Sequence, residues 1–238
     1  MSKPLLIFDM DGVLVDVTES YRETVARTVE HFTGVPVTRA QIQDFKNLGG
    51  WNDDWQLSHH MITTAGVNVL FDRVKDYFQS IFLGNGTDLG TPTGPGNPTD
   101  GLILREQWVA RPGMLERLNQ HFRFAVFTGR PRYEASLTLG RFAGDLVFDP
   151  IVTMESVQNH KPAPDGLLQI LSANPGCKAF YVGDTVDDAR CARAANVPFI
   201  GIAAPANPRY LDLVFLFQDE HPYAVIDDIN FLEEVFPS

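Results

Sequence analysis

The feature that most constrains the fold is an apolar run near the start of the chain that ends in two closely spaced carboxylates. Residues 5–8 read Leu-Leu-Ile-Phe and are followed by Asp9, Met10, Asp11 and Gly12. A run this apolar predicts a β-strand buried on both faces, as in a parallel sheet covered by helices. Asp9 would then lie at the carboxyl end of the strand, where open α/β sheets bind their ligands. The alternative is a strand that simply ends in an acidic turn.

The spacing of the two carboxylates also suggests a metal ion. Asp9 and Asp11 repel each other unless a positive group or a shared proton compensates. Mg²⁺ is the simplest compensation, because it favours one or two carboxylates together with the phosphate oxygens of a substrate.

The rest of the chain repeats the strand-then-helix pattern. Apolar runs of strand length recur at 123–127, 146–148, 179–182, 198–202 and 224–226, and helical patterns separate most of them. Alternating strands and helices predict parallel βαβ units. The expected fold is therefore α/β, with a Rossmann-like doubly wound parallel sheet.

One long segment interrupts this pattern. Residues 17–83 read as helices, with capping boxes expected at Ser20–Glu23 and Thr38–Gln41. Residues 84–101 are rich in glycine and proline, which predicts a linker or surface flap. We therefore expect a catalytic core of residues 1–16 and 102–238, an inserted helical cap of residues 17–83, and the linker between them.

Reactive side chains follow three of the predicted strands, and the first of these strands is the one that ends at Asp9 and Asp11. Thr128 follows the second strand, and Asp184 and Asp188 follow the strand at 179–182. Lys161 lies in a proline-bounded loop from which it can reach the same edge of the sheet. Such a set suits phosphoryl transfer: a carboxylate can act as nucleophile, another carboxyl can move a proton, and a hydroxyl, backbone amides and an ammonium can hold the transferred group. Acidic residues can hold Mg²⁺ beside them.

With these motifs in order, the sequence resembles the haloacid dehalogenase superfamily, in the branch with a helical cap (C1, subfamily I). The resemblance implies that Asp9 is the nucleophile, that Asp11 is the general acid and base, and that Thr128 and Lys161 contribute the second and third motifs. It implies that Asp184 and Asp188 surround Mg²⁺, with Asp9 and the backbone carbonyl of Asp11 as further metal ligands. Dehalogenases of the superfamily lack an aspartate at the position of Asp11, so its presence favours phosphate chemistry.

The second motif departs from the pattern of many cap-bearing relatives, which carry a serine or asparagine after the threonine. Here Gly129 and Arg130 follow Thr128. A glycine would allow the phosphate to approach the backbone closely, and Arg130 could add a bidentate phosphate contact. The alternative for Arg130 is a solvated charge at the start of a helix.

Two further sets of residues are candidates for the site. Trp51 and Asn52 follow a Gly-Gly turn within the predicted cap and could recognise the leaving group, although a tryptophan packed in the cap core is the alternative. Asp187 could support the metal site from outside or serve as a different metal ligand.

Composition narrows the class of partner. The formal net charge of −11 argues against nucleic acid, which requires clustered lysine and arginine. Two cysteines without a pairing framework, and no apolar segment long enough to cross a bilayer, lead us to expect a cytoplasmic protein without a membrane partner.

The predicted function is Mg²⁺-dependent hydrolysis of a small phosphorylated metabolite through an aspartyl-phosphate. A phosphomutase is one alternative, because the same intermediate can donate its phosphoryl group to a sugar phosphate. A phospholigand-binding protein without turnover is another. A phosphonate-cleaving relative would need a cap lysine, for which Lys46 and Lys75 are the candidates. The oligomeric state is left open.

Overall fold

The computed structural model describes residues 3–84 and 100–236. Most of the predicted linker, residues 85–99, lies outside the described residues. The chain forms two compact units. One comprises the described residues of Met1–Val15 and Trp108–Ser238, and the other comprises those of Asp16–Gln107.

The first unit is built on a six-stranded sheet whose paired strands are all parallel. The strand order is β5-β4-β1-β6-β7-β8. These strands are β1 (Leu5–Phe8), β4 (Arg123–Phe127), β5 (Phe148–Val152), β6 (Ala179–Gly183), β7 (Phe199–Ile202) and β8 (Ala224–Ile226). A short two-stranded sheet, β2 (Val15–Asp16) with β3 (Gln107–Trp108), lies where the chain passes between the units.

Ten α-helices accompany these strands in the described ranges. They are α1 (Tyr21–Thr33), α2 (Arg39–Leu48), α3 (Asp54–Thr64), α4 (Phe71–Phe82), α5 (Met114–His121), α6 (Arg132–Phe142), α7 (Asp165–Ala173), α8 (Val186–Ala194), α9 (Tyr210–Asp219) and α10 (Leu232–Val235). Single 3₁₀ turns occur at Leu102–Arg105, Met154–Ser156 and Ile229–Phe231. The predicted fold class is confirmed, because the sheet is parallel and its strands alternate with helices.

The centre of the sheet positions the site. All four residues of β1 are fully buried, as expected for a strand covered on both faces. Phe8 is in register with Val126 of β4 on one side and with Val182 of β6 on the other. The order of the strands reverses at β1. After β1 the chain adds β4 and β5 on one side of it, and then adds β6, β7 and β8 on the other side. Such a switch point is where open α/β sheets bind their ligands.

Among the described residues, the second unit contains α1 to α4 and the first 3₁₀ turn. An aromatic cluster packs α1 against α4, with the ring of Tyr21 stacked on that of Phe82 at 4.1 Å between centroids. Thr38 and Gln41 form the predicted capping box at the start of α2. The box predicted at Ser20–Glu23 is wrong: Ser20 precedes α1, but its side chain accepts no capping hydrogen bond. Glu23 instead pairs with Arg27 one turn along the helix, at 2.7 Å.

One strand boundary also differs from the prediction. The apolar run at 146–148 predicted a strand there, but β5 begins at Phe148 and extends to Val152. Val147 is 73% exposed and lies before the strand. The true strand was missed in the sequence because it contains Pro150. Proline cannot donate a hydrogen bond within a sheet and is tolerated mainly on edge strands such as β5.

Within residues 3–84 and 100–236, no helix is both long enough and apolar enough to cross a bilayer.

Candidate active site

Asp9 follows the central strand directly. Its backbone N–H donates to the carbonyl of Val182 at 2.8 Å, which continues the pairing between β1 and β6 by one residue. Its side chain is buried, and Asp9 as a whole is 4% exposed. A carboxylate placed this way is costly unless a positive group compensates it.

Lys161 provides that compensation from the loop before α7. Its Nζ lies 3.0 Å from Oδ1 of Asp9 and 2.8 Å from Oδ1 of Asp188. The ammonium also lies 4.8 Å from the ring centroid of Phe127 and 5.4 Å from that of Tyr181. One buried cation therefore bridges two carboxylates that come from different parts of the chain.

Asp188 accepts three hydrogen bonds in addition to its ion pair with Lys161. Besides Lys161, Oδ1 accepts the hydroxyl of Tyr181 at 2.6 Å. Oδ2 accepts the backbone N–H of Thr185 at 3.0 Å and its hydroxyl at 2.6 Å. Thr185 and Asp188 form a capping box that opens α8, so helix formation itself fixes the carboxylate. Both oxygens are thereby occupied by donors.

These contacts separate the pKa values of the two carboxyls. The pKa of Asp9 is raised to about 7 as the net result of several effects: burial raises it most, Lys161 lowers it in part, and the charges of Asp188 and Asp11 also raise it. For Asp188, burial also raises the pKa, but Lys161 and the hydrogen bonds from Thr185 and Tyr181 outweigh it and hold the pKa below its usual range. Burial lowers the pKa of Lys161, but Asp188 and Asp9 outweigh that effect and leave it above its ordinary value. Lys161 is therefore a permanent cation.

Three carboxylates of the site could hold a metal ion. Asp9, Asp184 and Asp188 can each offer one oxygen, and these oxygens all lie within 4.8 Å of one another. Hard oxygen donors of this kind suit Mg²⁺. A divalent cation here would also favour the charged form of Asp9, whose burial otherwise opposes ionisation. The three carboxylates therefore fit Mg²⁺ by their chemistry. The oxygens of Asp188, however, already contact Lys161, the hydroxyl of Tyr181, and the backbone N–H and hydroxyl of Thr185.

Glycines allow Asp184 and Asp188 to approach the backbone closely. A Cβ on Gly12 would lie 1.9 Å from Oδ2 of Asp184, and the φ of Gly12 is +71°. A Cβ on Gly183 would lie 2.4 Å from the Cβ of Asp188. Any side chain at either position would displace a site carboxylate.

Asp11 and Arg130 form a second ion pair at the same edge. Oδ1 of Asp11 accepts Nε of Arg130 at 2.8 Å and Nη2 at 2.5 Å. Arg130 is 2% exposed, so the alternative of a solvated charge at the helix start is wrong. The side chain of Asp11 is not among the three clustered carboxylates that could hold a metal ion in the described part of the chain.

Thr128 and Gly129 lie at the end of β4. Thr128 is fully buried, and its backbone N–H donates to the carbonyl of Val152 at 3.0 Å. Its hydroxyl oxygen accepts the backbone N–H of Arg130 at 3.2 Å, which leaves the hydroxyl proton able to donate elsewhere. Gly129 is half-buried between them.

The remaining predicted site residues lie elsewhere. Trp51 and Asn52 belong to the second unit, where the ring of Trp51 lies 4.3 Å from that of His60 and 5.9 Å from that of Phe45. Their role in recognising a substrate stays a prediction. Asp187 is buried beside Asp188 and is not one of the three carboxylates of the candidate metal cluster.

Three residues of the site were missed by sequence reasoning. Tyr181 lies within a buried strand and has the pattern of a core residue. Thr138 contacts Arg130 from within α6 at 2.7 Å and carries no local signal. Thr185, by contrast, stands three residues before Asp188, and that spacing is typical of a capping box.

Comparison with known proteins agrees with this geometry. Residues 4–196 match the family of haloacid dehalogenase-like hydrolases. The chain is 33% identical over 215 residues to an imidazoleglycerol-phosphate dehydratase of Phytophthora nicotianae, covering 86% of this chain but only 45% of that protein. It is 25% identical over 201 residues to a phosphoglycolate phosphatase of Rhodobacter capsulatus, covering 83% of each chain. A phosphatase structure from Thermococcus thioreducens superposes with a TM-score of 0.58 at 26% identity, covering 91% of this chain and 98% of that one.

Proposed function

This chain belongs to the haloacid dehalogenase-like hydrolase family and is similar to its phosphatases, and from that premise we propose that it hydrolyses small phosphomonoesters with Mg²⁺ through a phosphorylated Asp9. The observation that carries the proposal is the position of Asp9. It lies at the central switch point of the sheet, with Lys161 and a cluster of carboxylates around it.

In the first step, a carboxylate oxygen of Asp9 attacks phosphorus. The bond between phosphorus and the ester oxygen breaks, and Asp11 gives its proton to the departing alcohol. Thr128 and Lys161 hold the negative charge of the transferring group by hydrogen bonding and electrostatic attraction.

In the second step, Asp11 takes a proton from a water molecule, and the oxygen of that water attacks phosphorus. The bond between phosphorus and Asp9 breaks, which releases inorganic phosphate and restores both carboxyl groups. Asp188 holds Lys161 in place throughout, because its own oxygens are fixed by Tyr181 and Thr185.

We propose that Asp9 and Asp184 hold Mg²⁺ through their side chains, together with the backbone carbonyl of Asp11. When bound, the ion would screen the negative charge of the substrate from that of the nucleophile. We assign Asp188 mainly to Lys161, because four contacts from neighbouring donors already occupy its oxygens.

The names of the relatives suggest which esters to try first. Phosphoglycolate is a small phosphorylated acid and is the substrate named for one relative. Imidazoleglycerol phosphate appears in the name of the longer relative, of which this chain spans 45%. Both are small phosphomonoesters, in line with the proposed class.

The two unpaired cysteines support a cytoplasmic site of action.

The test is release of inorganic phosphate from a panel of such esters, with Mg²⁺ or with EDTA. We expect turnover only with the metal, and none from the Asp9→Asn variant. Asp212→Asn is the matched control, since Asp212 is an exposed aspartate on α9, and we expect it to retain full activity.

Two results would contradict the proposal. Phosphate release that persists in Asp9→Asn would exclude Asp9 as nucleophile. Failure of the wild type on every ester would point to the alternatives. Turnover of a sugar phosphate that requires a bisphosphate activator would then indicate a mutase, whereas binding of phosphate analogues without any product would indicate a binding protein.

A further inference from the structure

The guanidinium of Arg130 is directed at the proposed general acid. Nε and Nη2 both donate to Oδ1 of Asp11, at 2.8 and 2.5 Å. Nη1 donates to the hydroxyl of Thr138 at 2.7 Å. All three nitrogens of the side chain are therefore engaged by neighbouring side chains, although the sequence suggested a contact with the phosphate.

Arg130 is itself held firmly. Its side chain is 1% exposed, whereas that of Asp11 is 31% exposed. Its backbone N–H donates to Thr128 at 3.2 Å, and its carbonyl accepts the N–H of Met154 at 3.1 Å. A planar guanidinium anchored in this way fixes the direction of the carboxylate that it binds.

The two carboxylate oxygens of Asp11 differ in the hydrogen bonds that they accept. Both bonds from Arg130 end on Oδ1, and no hydrogen bond among residues 3–84 and 100–236 ends on Oδ2. Oδ2 is therefore the oxygen left to exchange a proton with the substrate.

We propose that Arg130 is a positioning residue that acts through Asp11. By holding Oδ1 it aims Oδ2 at the ester oxygen, so that proton delivery to the departing alcohol needs no reorientation. This inference rests on the proposed phosphatase function and assigns Arg130 a role in proton delivery in place of a contact with the phosphate.

The proposal predicts a dependence on the leaving group. Positioned general acid catalysis contributes about 10²- to 10⁴-fold, but only where the leaving oxygen needs a proton. An alkyl phosphate needs it, whereas p-nitrophenolate departs readily without it. The ratio kcat/KM is the right measure, because it reports formation of the aspartyl-phosphate and is unaffected by the later attack of water.

The experiment compares Arg130→Met with wild type on glycerol phosphate and on p-nitrophenyl phosphate. We expect kcat/KM to fall by on the order of 100-fold for the alkyl ester and by less than about fivefold for the aryl ester. Arg132→Met removes an exposed arginine two positions away and is expected to leave both values unchanged. Thermal unfolding checks that Arg130→Met is folded. Thr138→Val removes the hydroxyl that accepts Nη1 of Arg130 and should show the same pattern in weaker form.

A double-mutant cycle with Asp11→Asn tests whether the two residues act together. If Arg130 acts through Asp11, adding Arg130→Met to Asp11→Asn lowers kcat/KM for the alkyl ester by less than about twofold. Equal losses on both esters, or losses that multiply with those of Asp11→Asn, would instead identify Arg130 as a phosphate contact and overturn the inference. A wild type that releases phosphate from neither ester would overturn the phosphatase proposal and this inference with it.

Discussion

Nζ of Lys161 lies 3.0 Å from Oδ1 of Asp9, and both side chains are almost completely buried. The pair joins a loop before α7 to the end of the central strand. Since a buried charge is tolerated only when it is paired, each member of this pair depends on the other.

Lys161→Met should therefore be strongly destabilising. The variant leaves Asp9 and Asp188 without their shared cation, and losing one member of a buried ion pair costs about 3–5 kcal/mol. Denaturant unfolding would measure this loss. Lys178→Met is the matched control, because Lys178 is exposed and surface changes usually stay within about 0.5 kcal/mol. Similar unfolding free energies for the two variants would show that Lys161 is not buried as described.

The pKa of Asp9 predicts how stability depends on pH without metal. The folded protein keeps the Asp9 proton up to about pH 7, whereas the unfolded chain loses it near 3.8. Between these values the folded state binds more protons, so the free energy of unfolding contributed by Asp9 falls as pH rises.

This prediction is measured in EDTA by comparing the wild type with Asp9→Asn, which lacks the titrating group. The variant should gain stability relative to the wild type between pH 4 and 7, and the difference should level off above pH 7. The lowered pKa of Asp188 acts in the opposite sense, but only below its ordinary value of 3.8. A constant difference across this window would contradict the raised pKa of Asp9.

Asp184 and Asp188 should differ when each is replaced by asparagine. Asp184→Asn removes a proposed metal ligand. Loss of a residue that only supports a ligand typically weakens metal binding by roughly 10- to 100-fold. We therefore expect the Mg²⁺ concentration needed for activity to rise by more than that in Asp184→Asn. Asp188→Asn instead disturbs Lys161, Tyr181 and Thr185, so its main effect should be a lower free energy of unfolding. Metal titration and denaturant unfolding on the same samples separate the two. Equal effects on metal affinity would restore Asp188 as a direct ligand.

Tyr181→Phe removes one hydroxyl from the core and little else. That hydroxyl donates to Asp188 at 2.6 Å, and hydrogen bonds to charged groups contribute about 1.5–3 kcal/mol. We expect a loss of that size in the free energy of unfolding. Tyr223→Phe serves for comparison, since Tyr223 is 55% exposed and should be neutral. If both variants were neutral, Asp188 would have to be held without Tyr181.

Gly12→Ala tests the close approach of the backbone to Asp184. The new Cβ would lie 1.9 Å from Oδ2 of Asp184, so the carboxylate must move and Mg²⁺ binding should weaken. Gly176→Ala is a matched control: its φ of +72° is nearly the same as the +71° of Gly12, and it has no neighbouring atom within 4 Å. Backbone strain of about 1–2 kcal/mol should appear in both, but the higher Mg²⁺ requirement only in Gly12→Ala. A normal Mg²⁺ requirement in that variant would contradict the geometry.

Much of this architecture could be predicted from local patterns. The apolar run of β1 and the carboxylates after it indicated a central buried strand with reactive side chains at its end. The fold class and the family of haloacid dehalogenase-like hydrolases are confirmed. Strand ends are predictable because a buried parallel strand leaves a continuous apolar run. The start of β5 was misplaced because Pro150 broke that signal.

The contacts among side chains were harder to predict. Arg130 carries the same charge whether it faces solvent, a phosphate or Asp11, and only the tertiary fold decides between them. Tyr181 was missed because a tyrosine in a buried strand has the same pattern whether or not its hydroxyl has a partner. The Ser20 capping box failed for a related reason: the pattern permits a hydrogen bond, but the backbone before α1 does not adopt the required geometry.

The short sheet formed by β2 and β3 affects which insertions and replacements the chain can accept during evolution. The polypeptide leaves the first unit on one of these strands and returns to it on the other, and the two strands are hydrogen-bonded neighbours. Ends that meet side by side can be rejoined by a tight turn or attached to a different insert. We therefore expect the intervening segment to behave as an exchangeable cassette, which can be shortened, replaced or grafted from a relative while the six-stranded sheet keeps its register.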